Sequence, residues 1–139
     1  MKKYCLLGLA LAACTKDPTQ PYEVSLTAKG PWTAGQESSA ALIVKATSGY
    51  HVNPEYPVTF KPEGFEAVKF GAERVQLSAG TKTPCAEKAE DACTVEFPLA
   101  VTPEKAGPGK VAGVLAFSVC SAEKCLIEKV TLTLPISAN

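Results

Sequence analysis

Short runs of alternating apolar and polar residues recur along this sequence from Tyr22 to its last residues. Residues 95–101 (VEFPLAV) and 130–136 (VTLTLPI) place an apolar side chain at every second position. A period of two is that of a β-strand with one buried face, whereas an amphipathic helix repeats every 3.6 residues. The pattern therefore predicts β-strands, and no long helix, over most of the chain.

Glycine and proline separate these runs at short intervals. The chain has 10 Gly and 11 Pro in 139 residues, and both types end strands and occupy turns. We expect an all-β fold, an immunoglobulin-like antiparallel β-sandwich of seven to nine short strands, with a small barrel as the alternative. Pro54, Pro57 and Pro62 surround the strand at residues 56–60 and predict that it lies at a sheet edge.

Composition argues against several functional classes. Fourteen basic and fourteen acidic residues give zero net charge, so the chain offers no basic field for nucleic acid. A single His argues against a His-built metal site and against a catalytic triad. We therefore expect no cofactor, no metal and no nucleic-acid partner. A length of 139 residues fits one folded domain.

The first fourteen residues, MKKYCLLGLALAAC, are typical of an export signal. Lys2 and Lys3 precede an apolar run that is too short to span a bilayer, and the run ends in Leu-Ala-Ala-Cys. This segment resembles a bacterial lipoprotein signal, which is cleaved before a cysteine that becomes acylated. The alternative is an ordinary secretory signal with an incidental cysteine. The expected organisation is a signal peptide over 1–13, lipidated Cys14 and a tether over 14–21, and one β-sandwich domain over 22–139.

The lipoprotein resemblance implies a location in the bacterial cell envelope. Acyl chains on Cys14 would hold the domain on a membrane, facing the periplasm. Thr15 follows the cysteine, at a position where Asp tends to mark retention in the inner membrane, so the resemblance favours the outer membrane. Disulfides persist in this compartment, so the remaining cysteines are expected to be oxidised.

Four cysteines remain in the predicted domain: Cys85, Cys93, Cys120 and Cys125. Three pairings are possible, and proximity favours Cys85 with Cys93 and Cys120 with Cys125. Strand parity supports the second pair, since Cys120 and Cys125 share one face on either side of a four-residue hairpin link. A zinc site is disfavoured, since intervals of seven and four residues do not both match the usual spacing of ligands.

The role of the Cys120–Cys125 bond stays open at this level. It closes a loop of six residues, which stabilises a fold by only about 2 kcal/mol in the chain-entropy model. Lys124 and Lys129 favour a Cys125 thiolate, and two nearby glutamates oppose it. The residues alone therefore fit both a structural bond and a redox-active pair.

Two segments resemble the N-terminal periplasmic domain of the DsbD family of thiol:disulfide interchange proteins. One is residues 116–126 (AFSVCSAEKCL), followed by an alternating final strand, and the other is residues 49–53 (GYHVN). The resemblance extends over nearly the whole predicted domain, and the family fold is immunoglobulin-like. It implies a pair that cycles between dithiol and disulfide, in which Cys125 attacks the partner, Cys120 resolves the mixed disulfide, and Tyr50 is a neighbouring aromatic.

The same resemblance implies protein partners. In the family, the pair receives electrons from a thioredoxin-like domain and passes them to periplasmic disulfide isomerases or thioredoxins. The membrane-embedded and thioredoxin-like domains of the family are not in this sequence. We therefore expect a separate membrane electron donor, and thioredoxin-like or disulfide-isomerase proteins as partners.

Two further predictions concern the surroundings of the pair. Residues 79–94 correspond to a cap loop in the family; they hold no aromatic residue but carry Cys85 and Cys93. We expect these two cysteines to form a structural disulfide that staples the loop. His51 is expected to be a polar loop residue, with stabilisation of a Cys125 thiolate as the alternative.

The sequence thus supports two hypotheses of different classes. The first is a membrane-anchored thiol–disulfide exchange module, with oxidoreductase-like activity through Cys120 and Cys125. The second is a non-catalytic envelope lipoprotein or adaptor whose two disulfides are structural.

Overall fold

A computed structural model describes residues 20–47, 49–76 and 80–139. The predicted signal peptide, Cys14 and all but the last residues of the predicted tether lie outside these ranges. Within them, no helix has the length and hydropathy needed to cross a membrane.

The described residues form ten strands, one more than the upper end of the expected range. Three of them have only two residues, and the last three have 12, 14 and 14 residues and are not short. In chain order they are β1 (Tyr22–Ala28), β2 (Ser38–Ala46), β3 (His51–Val52), β4 (Thr59–Pro62), β5 (Val68–Lys69), β6 (Val75–Gln76), β7 (Thr81–Pro84), β8 (Ala92–Pro103), β9 (Gly107–Cys120) and β10 (Cys125–Ala138).

The strands form two sheets in which every described pairing is antiparallel. The first has the order β1-β2-β8-β5, with β7 also paired to β8. The second has the order β10-β9-β4-β6, with β3 also paired to β9. The chain is therefore an immunoglobulin-like antiparallel β-sandwich, as the alternation predicts, and not a single closed barrel.

The core lies between the two sheets and follows the alternation of the sequence. From β8, Phe97 and Leu99 point inward, and from β9, Leu115, Phe117 and Val119 do so, each nearly or fully excluded from solvent. Alternate residues of β10 line the same interior, with Leu132, Ile136 and Ala138 buried. Burial of apolar side chains from both sheets gives the sandwich its main stabilisation.

The predicted edge position of the proline-flanked strand is wrong. β4 lies inside the second sheet, between β9 and the two-residue strand β6. The strand begins at Thr59, after Pro54 and Pro57, and ends at Pro62. Pro54 and Pro57 therefore precede the paired residues, and Pro62 is the last of them, opposite Gly113. None of the three interrupts the pairing of β4, so they do not confine the strand to a sheet edge.

Candidate functional site

Cys120 and Cys125 lie directly opposite each other where the β9–β10 hairpin ends. Cys120 is the last residue of β9 and Cys125 the first residue of β10, and the two are partners in the strand register. Their Cα atoms are 4.0 Å apart and their sulfurs form a disulfide. The pairing predicted from strand parity is thus confirmed.

The four-residue link holds this end of the hairpin in one shape. The Ser121 N–H donates to the Lys124 carbonyl oxygen at 2.8 Å, and the Ser121 hydroxyl accepts from the N–H groups of Glu123 and Lys124, both at 3.2 Å. Because residues 121 and 124 share a hydrogen bond, the adjacent Cys120–Cys125 pair occupies a non-hydrogen-bonded position, where opposite side chains approach most closely.

The two sulfur-bearing residues differ in exposure. Cys120 is only 6% exposed, and its neighbour on the same face, Ser118, is 1% exposed. Cys125 is exposed. A partner molecule therefore has access to Cys125, whereas Cys120 is buried.

His51 lies in β3 and is the partner of Cys120 in the strand register, so it is not the loop residue predicted from the sequence. Cys120 therefore has His51 on one side and Cys125 on the other. The His51 imidazole Nδ1 is 3.6 Å from Asp91 Oδ2, and the Lys88 ammonium is 3.8 Å from the same oxygen. Asp91 thus ties the β7–β8 loop to β3.

Cys85 and Cys93 form the second disulfide, as predicted. It closes the acidic loop between β7 and β8, and the Cys85 N–H donates to the Asp91 carbonyl oxygen at 2.9 Å. The Cys93 sulfur lies 3.7 Å from the carbonyl oxygen of half-buried Tyr50, the residue before β3. The stapled loop therefore packs beside the strand that carries His51.

A cavity of about 370 Å³ separates the stapled loop from the hairpin link. Its lining includes Cys85 and Cys93 from the loop, Tyr50 and His51 from the segment between them, and Ala122 from the link. A second cavity of about 370 Å³ adjoins His51 and Asp91 on their other side. The structure thus brings both disulfides, Tyr50 and His51 to one end of the sandwich, with Lys124 exposed in the link.

The outer face of β10 carries an exposed apolar side chain near the pair. Ile127 is 63% exposed and, two residues after Cys125, points to the same face, as does Lys129. Glu128 points to the opposite face, and the Tyr22 hydroxyl lies 3.4 Å from its carboxylate. Of the charges near Cys125 in the sequence, Lys129 therefore shares its face and Glu128 does not.

Sequence reasoning missed Asp91 and Ile127 as parts of this end. A signal for Ile127 was present, because Leu126 and Ile127 are consecutive apolar residues that break the alternation of β10. Its parity with Cys125 then assigns Ile127 to the outer face. The Asp91–His51 contact had no local signal, since the two residues are forty positions apart and meet only through the fold.

All four cysteines of the domain are oxidised in the structure, and no group of three or more His, Cys, Asp or Glu side chains is placed to hold a metal within the described ranges. The arrangement offers an exposed cysteine, a buried cysteine bonded to it, and a histidine on the next strand.

Comparison with protein families and with curated proteins gives no match. Two solved structures are similar over most of the chain. The major subunit of type I aggregative adherence fimbriae, AggA, from Escherichia coli is 12% identical, with a TM-score of 0.41, over 87% of this chain and 97% of that one. The PapD-like domain 7 of human CEP192 is 13% identical, with a TM-score of 0.35, over 99% of this chain and 100% of that one.

Proposed function

We propose that this protein is a membrane-anchored thiol–disulfide exchange module of the bacterial periplasm. It passes electrons between a membrane donor and thioredoxin-like or disulfide-isomerase proteins through Cys120 and Cys125. The observation that carries the proposal is the disulfide at the hairpin end, in which Cys125 is exposed and Cys120 is 6% exposed.

The difference in exposure assigns a role to each sulfur. A thiolate of a reduced partner attacks the accessible Cys125 sulfur, the Cys120–Cys125 bond breaks, and Cys120 leaves as a thiolate that takes up a proton. The second thiolate of the partner then attacks the partner's sulfur in the mixed disulfide and releases Cys125 as a thiolate, which takes up the second proton. Two electrons and two protons reach the module, and the partner is left with a disulfide.

The transfer of electrons from the reduced module to an oxidised partner uses the same two sulfurs, with Cys125 now as the nucleophile. The Cys125 thiolate attacks the disulfide of an oxidised partner and expels one partner thiolate. Cys120 loses its proton and attacks the Cys125 sulfur, which re-forms the Cys120–Cys125 bond and releases the second partner thiolate. Cys120 stays within reach of its target throughout, because β9 and β10 keep the two residues opposite each other.

The hairpin does not need the disulfide to keep its shape. Fourteen residue pairs, from Cys125–Cys120 to Ala138–Gly107, join β9 to β10, and the inner face of β9 is buried. The bond itself adds only about 2 kcal/mol, because it closes a short loop. Reduction therefore leaves a folded domain with two thiols in place, as an exchange cycle requires.

Charges of both signs lie near Cys125. Lys124 is its neighbour in the chain and Lys129 shares its face, whereas Glu123 lies two residues before it and the Glu128 side chain points to the other face toward Tyr22. Positive charge favours the nucleophilic thiolate and negative charge opposes it, so exposure, and not charge, distinguishes Cys125 from Cys120.

The test is to trap partners in cells with Cys120→Ser, which keeps the attacking sulfur and removes the resolving one. Mixed disulfides through Cys125 are expected in nonreducing gels, and mass spectrometry then identifies the partners. The matched control is Cys93→Ser, which also leaves one unpaired thiol, Cys85, at the same end of the sandwich. A Cys120→Ser variant that traps nothing, or that traps the same proteins as Cys93→Ser, contradicts the proposal.

The reduction potential of the Cys120–Cys125 pair gives an independent test. Protein lacking residues 1–14 is equilibrated in dithiol redox buffers and its thiols are labelled and counted. Exchange proteins have potentials between about −120 and −270 mV, and we expect a value in that range. A value below about −300 mV marks a structural bond and favours the non-catalytic adaptor instead.

A further inference from the structure

The chain enters the sandwich next to the hairpin that carries the cysteine pair. Gln20 and Pro21 are held by Thr47, whose N–H donates to the Pro21 carbonyl oxygen at 2.8 Å and whose hydroxyl donates to the Gln20 carbonyl oxygen at 3.3 Å. Thr47 lines the same cavity as Ala122 of the hairpin link. The point of entry and the link therefore border the same cavity.

Two contacts of Tyr22, the first residue of β1, also place the start of the domain beside the β9–β10 hairpin. Its ring meets the ring of Phe117 edge-on, with centroids 4.9 Å apart, and its hydroxyl lies 3.4 Å from the Glu128 carboxylate. Phe117 is three residues before Cys120, and Glu128 is three residues after Cys125. The first strand of the domain is thus packed against both strands of the hairpin close to the disulfide.

The other chain end lies at the opposite end of the sandwich. β10 runs from Cys125 to Ala138, which at the rise of a β-strand is about 40 Å. Asn139 is bound there, with its N–H donating to the Trp32 carbonyl oxygen at 2.9 Å. Attachment to a membrane through one chain end or the other therefore places the cysteine pair at very different heights.

We infer that the cysteine pair works against the membrane surface and exchanges with a protein embedded in, or anchored to, the same membrane. This rests on the proposed function, including its lipid anchor at Cys14. Residues 15–19 join Cys14 to Gln20, and such a link reaches about 20 Å at most. Because Gln20 lies at the same end of the sandwich as the cysteines, the anchor keeps the pair within a few tens of ångströms of the bilayer.

The charge of this end of the sandwich favours a protein over lipid as its occupant. The two loops beside the pair, residues 86–92 and 121–124, carry more acidic than basic side chains: Glu87, Glu90, Asp91 and Glu123 against Lys88 and Lys124. Anionic lipid headgroups attract polybasic segments and repel acidic ones. The exposed Ile127 and Cys125 are thus left open to a protein instead of lying buried in headgroups.

The test moves the anchor from one end of the domain to the other in a Cys120→Ser background. In the first variant, one transmembrane helix replaces the lipid anchor and joins Gln20 through five residues. In the second, the same helix follows Asn139 through five residues, and the exported domain has no N-terminal anchor. Both variants are membrane-bound and present the same sandwich, so only the height of Cys125 differs.

The first variant is expected to accumulate at least about tenfold more mixed disulfide than the second, because proximity raises the effective concentration of the partner. The trapped partner is expected to resist extraction with high salt and carbonate. Equal trapping by the two variants, or a trapped partner that washes off the membrane, overturns the inference while leaving the exchange function standing. Trapping by the lipidated Cys120→Ser protein alone, and by neither helix-anchored variant, overturns the inference. If the lipidated protein and both variants trap no partner, the inference and the exchange function are both overturned.

Discussion

At the scale of single residues, the function proposed here depends on a difference between two sulfurs of one bond. Cys125 is exposed, whereas Cys120, on the same face of the sheet, is 6% exposed. After reduction, a bulky maleimide is expected to modify Cys125 at least about tenfold faster than Cys120, since alkylation needs an accessible thiolate. Timed quenching and peptide mass spectrometry under native conditions measure both rates. Equal rates would remove the basis for assigning attack to Cys125.

Gly113 is a residue where the packing between strands leaves no room for a side chain. A Cβ built at this position would meet the Phe60 ring at 2.5 Å and also the Lys61 carbonyl oxygen, both on the neighbouring strand β4. Gly113→Ala is expected to lower the free energy of unfolding by about 1–3 kcal/mol, because the two strands must separate. Urea unfolding measures the change. Gly71→Ala is the control, since a Cβ there meets nothing within 4 Å, and an equal loss in both variants would contradict the explanation.

At the scale of elements, the β9–β10 hairpin and the β7–β8 loop use their disulfides differently. The hairpin is held by a register of fourteen pairs, whereas residues 86–92 belong to no strand except at Ala92. Removing both cysteines of the hairpin, with Cys120→Ser and Cys125→Ser, is expected to cost about 2 kcal/mol and to leave amide exchange in β9 slow. Removing both cysteines of the loop is expected to cost a similar amount but to speed exchange in residues 86–92.

Hydrogen exchange followed by mass spectrometry, together with urea unfolding, separates the two cases. Far-ultraviolet circular dichroism of both double variants is expected to match the parent protein. Rapid exchange throughout β9 in the hairpin variant would show that its disulfide is structural and would count against a reversible exchange cycle.

The elements also show how far the sequence predicts this fold. The alternation in residues 95–101 and 130–136 predicts β8 and β10. The strand parity of Cys120 and Cys125 predicts the disulfide between them. β3, β5 and β6 have two residues each, which is too few to show any period. The neighbours of β4 were wrongly predicted because proline marks where pairing stops and not which strand lies alongside.

The site was predictable to the extent that it is local. Cys120 and Cys125 are five residues apart, and strand parity brings them together. The position of His51 beside Cys120 depends on the pairing of β3 with β9 across about seventy residues of sequence. Such a contact depends on the order of the strands in the sheet, and the alternation of apolar residues in the sequence does not indicate that order.

At the scale of the whole molecule, the two sheets share one core and are expected to unfold together. Leu99 in the first sheet and Leu115 in the second are fully buried and belong to the same cluster. Leu99→Ala and Leu115→Ala are each expected to lower the stability of the anchor-free domain by about 2–5 kcal/mol, with one cooperative transition in every case. The fluorescence of Trp32, which is buried in the core, and far-ultraviolet circular dichroism, which reports on the strands of both sheets, are followed through urea unfolding. Separate transitions by the two probes would mean that the sheets are independent units.

The entry of the chain through β1 also has a mechanical consequence. A partner that pulls away while still covalently attached to Cys125 applies force between that residue and the chain ahead of Tyr22, two points at the same end of the sandwich. This force runs across the strands, so the contacts of Tyr22 with Phe117 and Glu128 bear it first. The far end of the sandwich, where Asn139 is hydrogen-bonded to Trp32, bears little of it.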